Sequence, residues 1–276
     1  MTTELAAKRI EDSFFDEKGE TEFVWLGMAG AGINARGTVL LIDPMLVVLE
    51  KDGEEVSETG HRFRIELPIE AKDVPRVDGV LYTHADMDHF GRPTAEVLGK
   101  LGATFVGPPP VVKGLRELGV DQKRIVVAKD FDKVRIGEVE VFVTPALHDY
   151  PSSGHVRGDC CGYVVTSADG RIWHPGDTRL IDELLDVKDV DVMFFDVADV
   201  VAHLGPRGSA RLADSCGAKV MVAYHYGTYD LPPGSWGSCD PEDAKPHANG
   251  MEAEFWMPNP GEVMRLGARG PERTVG

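Results

Sequence analysis

The segment Gly79-Val-Leu-Tyr-Thr-His-Ala-Asp-Met-Asp-His-Phe-Gly91 runs from a short apolar stretch into four side chains able to hold a metal: His84, Asp86, Asp88 and His89. The apolar stretch reads as a strand. A strand end fixes the backbone, while the loop after it lets side chains converge. Mixed imidazole and carboxylate donors suit divalent transition metals. A polar loop with incidental histidines is the plain alternative, and the rest of the chain weighs against it. Val139–Val143 leads into Thr-Pro-Ala-Leu-His148, Arg171–Trp173 into His174-Pro-Gly-Asp177-Thr178, and Lys219–Ala223 into Tyr224-His225. One histidine after an apolar run is ordinary, but four such endings describe a sheet edge gathering ligands from distant segments.

Working outward, short β-branched runs punctuated by glycine predict strands at Phe23–Leu26, Thr38–Ile42, Gly79–Tyr82, Thr104–Val106, Ile125–Val127, Val139–Val143, Gly162–Val165, Arg171–Trp173, Val192–Phe195 and Lys219–Ala223. Helices fit at Thr3–Phe15, Pro93–Lys100, Pro110–Leu118, Arg179–Leu185 and Ser209–Cys216, and a closing hairpin at Glu254–Met257 and Glu262–Arg265. Gly27–Gly37 reads as a turn, without the spacing of a nucleotide-binding loop. Residues 45–70 form a charged insertion, a candidate lid or oligomer contact, and 268–276 a loose tail. With no repeat or linker, residues 1–276 are read as one domain, with 1–20 as an N-terminal helical segment. Mixed strands and helices mean α/β or α+β.

The chain has 276 residues, 29 basic against 46 acidic, for a net charge of −17. Such a surface repels phosphate backbones and anionic headgroups, which argues against nucleic-acid and membrane-surface partners. A hydrophobic content of 42% supports a packed core. The four cysteines show no CxxC pair, and Cys160 and Cys161 read as packing residues. A cytoplasmic location is expected.

His84-x-Asp86-x-Asp88-His89, then His148, Gly176-Asp177-Thr178 and His225, resemble the metallo-β-lactamase superfamily. Trp25-Leu-Gly-Met-Ala-Gly30 with Leu41-Ile-Asp-Pro44 is similar to its L-ascorbate 6-phosphate lactonase-like branch. So are Phe105–Pro108, Trp173–Asp177, Gly205-Pro-Arg-Gly208, Ala218–Val220 and Phe255–Val263. The resemblance spans about Phe23 to Leu266. It implies a four-layer αββα sandwich with two divalent metal ions at one edge. His84, Asp86 and His148 would hold one, Asp88, His89 and His225 the other, and Asp177 would bridge them. A homo-oligomer is also implied.

The chain departs from the usual His-x-His-x-Asp-His pattern at Asp86, where a harder, shorter ligand favours manganese or iron over zinc. Two such ions share a hydroxide and lower its pKa, with Asp88 orienting it and Asp177 as the second catalytic carboxylate. The function expected is therefore a metal-dependent hydrolase acting on a small anionic lactone or ester. A small-molecule phosphodiesterase with the same metals, or a non-catalytic metal-binding protein with a degenerate site, are the alternatives. Arg207 is a candidate phosphate grip, and His174 and His203 are candidate substrate or supporting residues. His155, Arg157 and Arg179 lie near the motifs and are candidates to line the pocket, though most read as surface; His61 and His247 read as solvated.

Overall fold

The computed structural model describes residues 5–273. In chain order the first strands are β1 (Thr21–Gly27), β2 (Gly30–Ala35), β3 (Thr38–Ile42), the ribbon β4 (Leu49–Lys51) and β5 (Glu54–Val56), β6 (Gly79–Leu81), β7 (Thr104–Gly107) and β8 (Ile125–Val127). Then come β9 (Lys133–Ile136), β10 (Val139–Pro145), β11 (Cys161–Thr166), β12 (Arg171–His174), β13 (Val192–Asp196), β14 (Val220–Tyr224) and β15 (Glu254–Trp256). The last two, β16 (Met264–Gly267) and β17 (Gly270–Arg273), return to the first sheet. The eight-stranded sheet has the order β17-β16-β1-β2-β3-β6-β7-β8, and the seven-stranded sheet β15-β14-β13-β12-β11-β10-β9.

Side chains alternate faces along a strand, so each strand of the first sheet feeds two cores. Phe23, Trp25, Leu40, Ile42, Leu81 and Val106 face the second sheet. Their neighbours Val24, Leu26, Val39, Leu41, Val80 and Phe105 pack outward with Ala95, Leu98, Val111 and Leu115. Those four residues belong to α1 (Arg92–Gly99) and α2 (Pro109–Glu117). On the far side α3 (Gly205–Cys216) lays Leu212, Ala213 and Cys216 on the second sheet. The result is an α/β sandwich of helices, sheet, sheet and helix. Double-sided burial explains why the strands read as continuous apolar runs rather than alternating ones.

Several elements differ from the sequence reading. Among the described residues of the Thr3–Phe15 helix, only Asp12–Phe15 turns, as a single 3-10 turn. The segment before it spends its amides elsewhere: Lys8 N donates to Pro260 O and Ile10 N to Pro68 O. Gly27–Gly37 contains a full strand, β2, paired on both sides. The expected closing hairpin splits, because Pro258 and Pro260 carry the chain from one sheet to the other: β15 pairs parallel to β14, and β16 antiparallel to β1. Arg179–Leu185 is a 3-10 turn at Asp182–Asp186, and α3 starts earlier, at Gly205. Within the expected tail, Gly270–Arg273 is a strand, and 274–276 lie outside the described residues. No described helix is long and apolar enough to cross a membrane.

β3, β6, β7 and β8 run parallel, and so do β12, β13, β14 and β15. The carboxyl ends of parallel strands are where an open α/β sheet gathers ligand-binding loops.

Candidate metal centre

Each strand end delivers its donors over a short span. β6 stops at Leu81, and Tyr82–Thr83 lead into His84–His89. β10 stops at Pro145, just before His148. β12 stops at His174, just before Asp177, and His225 follows β14 directly. The approach of Asp177 depends on Gly176, whose φ is +67°. A Cβ there would stand 2.6 Å from the Cys161 carbonyl oxygen and 2.9 Å from Thr83 Cβ, so only glycine fits. His225 (φ 71°) and Asp43 (φ 44°) also hold left-handed backbone, at a cost of about 1–3 kcal/mol each. Their amides are pinned, His225 N to Met28 O and Asp43 N to Leu81 O, both at 2.9 Å.

Four histidines turn the same ring nitrogen inward, and in three of them the other is hydrogen-bonded. His89 Nδ1 donates to Asp43 Oδ2 at 2.8 Å. Thr83 Oγ1 donates to the same oxygen at 2.6 Å, which leaves it to accept from His84 Nδ1 at 3.0 Å. His148 Nδ1 donates to Ala202 O at 3.0 Å. His225 Nδ1 lies 3.3 Å from Asp196 Oδ1, close enough for charge attraction though not aligned as a hydrogen bond. Such outer contacts fix the tautomer of metal-binding imidazoles and orient their rings.

The inward atoms form two neighbouring sets at the spacing of donors that share an ion. Two donors at metal-bond length around a tetrahedral ion stand about 3.4 Å apart. Asp86 Oδ2 is 3.5 Å from both His84 Nε2 and His148 Nε2. His225 Nε2 is 3.3 Å and His89 Nε2 3.8 Å from Asp88 Oδ2. Asp177 Oδ2 sits between the two sets, 3.1 Å from His89 Nε2, 3.8 Å from His225 Nε2 and 4.0 Å from His148 Nε2. Three buried atoms in this cluster have no hydrogen-bond partner: His225 Nδ1, which faces Asp196, and the inward His84 Nε2 and Asp177 Oδ1. Buried polar atoms are rarely left so, and a cation between the inward two is what the donor set lacks.

Charge points the same way. Burial opposes charging of His225, yet Asp177, Asp196 and Asp88 overcome it and raise its pKa to about 10. His89 is raised well above the ordinary imidazole value despite burial, by Asp177, Asp88 and Asp43. Burial also opposes ionisation of Asp86, but contacts from His148 and His84 hold it below the usual carboxylate range. Without a metal, protons on these imidazoles supply the positive charge.

A folded pKa above the unfolded 6.5 means that the proton on His225 stabilises the metal-free fold fully below pH 6.5, and that this contribution is lost as pH rises through about 10. Bound metal takes over the same carboxylates and needs unprotonated imidazole. The rise in Tm on adding manganese to chelator-treated protein is therefore expected to be larger at about pH 8.5 than at about pH 6.5. A thermal-shift series that is flat or falling with pH would contradict this.

The centre opens on a cavity of about 560 Å³ lined by Asp86, Asp88, His148, Asp177, His203 and His225 at the base. His61, Met87, Tyr150, Val200, Val201 and Trp236 form the walls. A larger groove of about 810 Å³, between residues 7–12 and 48–73, holds no histidine. The structure thus brings His84, Asp86, Asp88, His89, His148, Asp177 and His225 together, with His203 beside them.

Other candidate residues are placed elsewhere. His174 is fully buried, hydrogen-bonded through Nε2 to Ala29 O and accepting from Gly176 N at Nδ1, so it braces the Asp177 turn rather than touching a substrate. Arg207 is exposed on the first turn of α3 and is not among the residues lining the cavity. Arg157 and Arg179 pair with Glu183 and Asp149 outside it. Cys160 and Cys161 are buried free thiols.

Some participants escaped the sequence reading. His61 is not merely solvated: the 45–70 insertion docks on the 226–237 loop, with Arg64 N donating to Thr228 O and Asp230 N to Arg62 O, and carries His61 to the wall. Tyr150, which the sequence reading did not single out, donates through its OH to Asp86 at 3.0 Å, and His155, named there only as a candidate pocket residue, donates through Nε2 at 2.8 Å. Asp196, fully buried, accepts from His203 Nδ1 at 2.5 Å. Its signal was an apolar run ending in aspartate, Val192-Met-Phe-Phe-Asp196.

Two sheets faced by helices, with a histidine–carboxylate cluster where the strands end, define a class of metal-site scaffold. The chain belongs to the metallo-β-lactamase superfamily: a family model for the beta-lactamase superfamily domain matches residues 38–226. A metal-dependent hydrolase of Pyrobaculum neutrophilum is 28% identical over 247 residues, covering 88% of this chain and 98% of its own. Among solved structures, an isothiocyanate hydrolase from Delia radicum gut bacteria is similar with a TM-score of 0.69 and 20% identity, over 88% of this chain and 98% of that one. A metallo hydrolase of Ignicoccus hospitalis is similar at 0.67 and 18%, over 88% and 97%.

Proposed function

We propose that the protein is a metal-dependent hydrolase that opens a small carboxylic ester or lactone. The observation carrying this is the donor geometry: inward Nε2 atoms and carboxylates at metal-sharing distances, at the base of an open cavity. The metal-dependent hydrolase of Pyrobaculum neutrophilum supports the hydrolase part of the reading. His84, Asp86 and His148 would hold one ion, Asp88, His89 and His225 the other, and Asp177 both. When bound, the ions supply Lewis acidity and a nucleophilic water at neutral pH. Asp88 lines the cavity and would take a proton from the attacking water and pass it to the leaving oxygen. His203, tied to Asp196, stands at the base beside Asp177.

The test joins composition to turnover. Purified protein reconstituted with manganese or zinc should hold about two ions per chain and hydrolyse members of a lactone and ester panel. A chelator should abolish this and metal restore it. Absence of transition metal after reconstitution would sink the reading, and turnover confined to phosphodiesters would move it to phosphorus.

A further inference from the structure

The cavity has a polar base and walls in which Met87, Val200, Val201 and Trp236 stand with His61 and Tyr150, and among the described residues that line it there is no lysine or arginine. Met87 and Val201 stand at the mouth with relative exposures of 64% and 65%, among the few large hydrophobic side chains the fold leaves open. Trp236 is half-buried, its ring 5.5 Å from that of His225 and 6.2 Å from that of His61. Charge in the centre is no bait for an anion. Asp43, Asp86, Asp88, Asp177 and Asp196 form one contiguous set, and five carboxylates outweigh the roughly four positive charges of two divalent ions. The whole chain carries −17. An anionic ligand would meet repulsion on approach and find no guanidinium or ammonium to pair with on arrival.

We infer that the site is selective for uncharged substrates carrying an apolar, aryl-sized group, seated between Met87, Val201 and Trp236 while the scissile carbonyl faces the metal donors. This rests on the ester- or lactone-hydrolase reading. The volume, about 560 Å³, falls in the range of cavities that enclose a small organic ligand. Methionine and valine at an open rim give an apolar contact that adapts to the shape of the group. Trp236, beside His225, places an aromatic face next to the reacting centre.

The experiment uses two matched pairs on the metal-loaded protein. Benzyl acetate is compared with its para-carboxylate for turnover, and the non-hydrolysable ketone 4-phenylbutan-2-one with its para-carboxylate for binding by calorimetry. The added charge sits at the end remote from the ester, so it reports on the mouth. Moving an unpaired charge against the apolar side chains of the mouth should weaken the carboxylates by about ten- to a hundredfold in kcat/KM and in affinity. Trp236→Ala should weaken the neutral ketone roughly tenfold, with Trp236→Phe recovering most of it. Val201→Lys, at an exposed position, should shift preference toward the carboxylates.

Neutral-ketone preference without hydrolysis of either ester would leave this inference standing and remove the ester reading. Equal or tighter binding of the carboxylate by the unaltered protein would overturn the inference, whatever the turnover.

Discussion

Asp177→Ala is expected to lower turnover by roughly a thousandfold, the scale on which losing one preorganised electrostatic group at a reacting centre acts, and to cut metal content to one ion or fewer. Asp177 is 2% exposed, and its Oδ2 lies between donors of both sets. Removing it takes away a negative charge that both ions would share and leaves them to repel at close range in a low-dielectric cleft. It also leaves His89, His203 and His225 facing an uncompensated space. Asp177→Asn separates shape from charge, since it keeps the volume and one carbonyl oxygen. It should retain the fold and still lose most of the metal. Elemental analysis and steady-state kinetics on both variants check this. Unaltered turnover in Asp177→Ala, with full metal content, would end the bridging assignment.

The sequence exposed the strand-end donors because their geometry is local. A ligand must sit within a few residues of a strand terminus to be aimed, so His84–His89, His148, Asp177 and His225 each announce themselves beside an apolar run. The double-sided burial of β1, β3 and β6 is also written locally, as runs with no polar gap. What was not legible depends on contacts far away in the chain. Asp196 ends a strand as the other donors do, but a single aspartate there is common, and its role arises only because His203 and His225 arrive from other segments. His61 reaches the wall through pairing of the insertion with the 226–237 loop, a partnership that no spacing encodes. The N-terminal segment has helical periodicity, yet Phe14 and Phe15 bury together and the preceding amides bond to Pro68 and Pro260. Tertiary hydrogen bonds there overrode local preference. Arg207 shows the other limit of local reading: its neighbours match a motif, yet its side chain is exposed and outside the cavity lining.

The carboxylate at position 86, where the superfamily pattern has histidine, is expected to control the first site's occupancy and its choice of metal. Its placement carries more than its identity does. Oδ2 lies 3.5 Å from both His84 Nε2 and His148 Nε2, the spacing of donors that share an ion. Tyr150 OH donates to Oδ2 and His155 Nε2 to Oδ1. These two donors hold the carboxylate at that spacing, which answers the objection that aspartate is too short to replace histidine. Oxygen-rich coordination favours manganese or iron over zinc relative to an all-histidine set.

Asp86→Ala should therefore lose the first ion, keep the second on Asp88, His89, Asp177 and His225, and drop turnover by at least about a hundredfold. Asp86→His should retain an ion but move the preference toward zinc, offset in part because Tyr150 and His155 lose their acceptor. Tyr150→Phe tests the brace alone: first-site affinity should fall by about ten- to a hundredfold, as when other outer contacts to a metal ligand are removed, with the second site unmoved. Competitive manganese and zinc titrations of the four proteins decide the matter. If Asp86→Ala keeps both the stoichiometry and the selectivity of the unaltered chain, the carboxylate is no ligand, and His84 and His148 hold that ion with Asp177 alone.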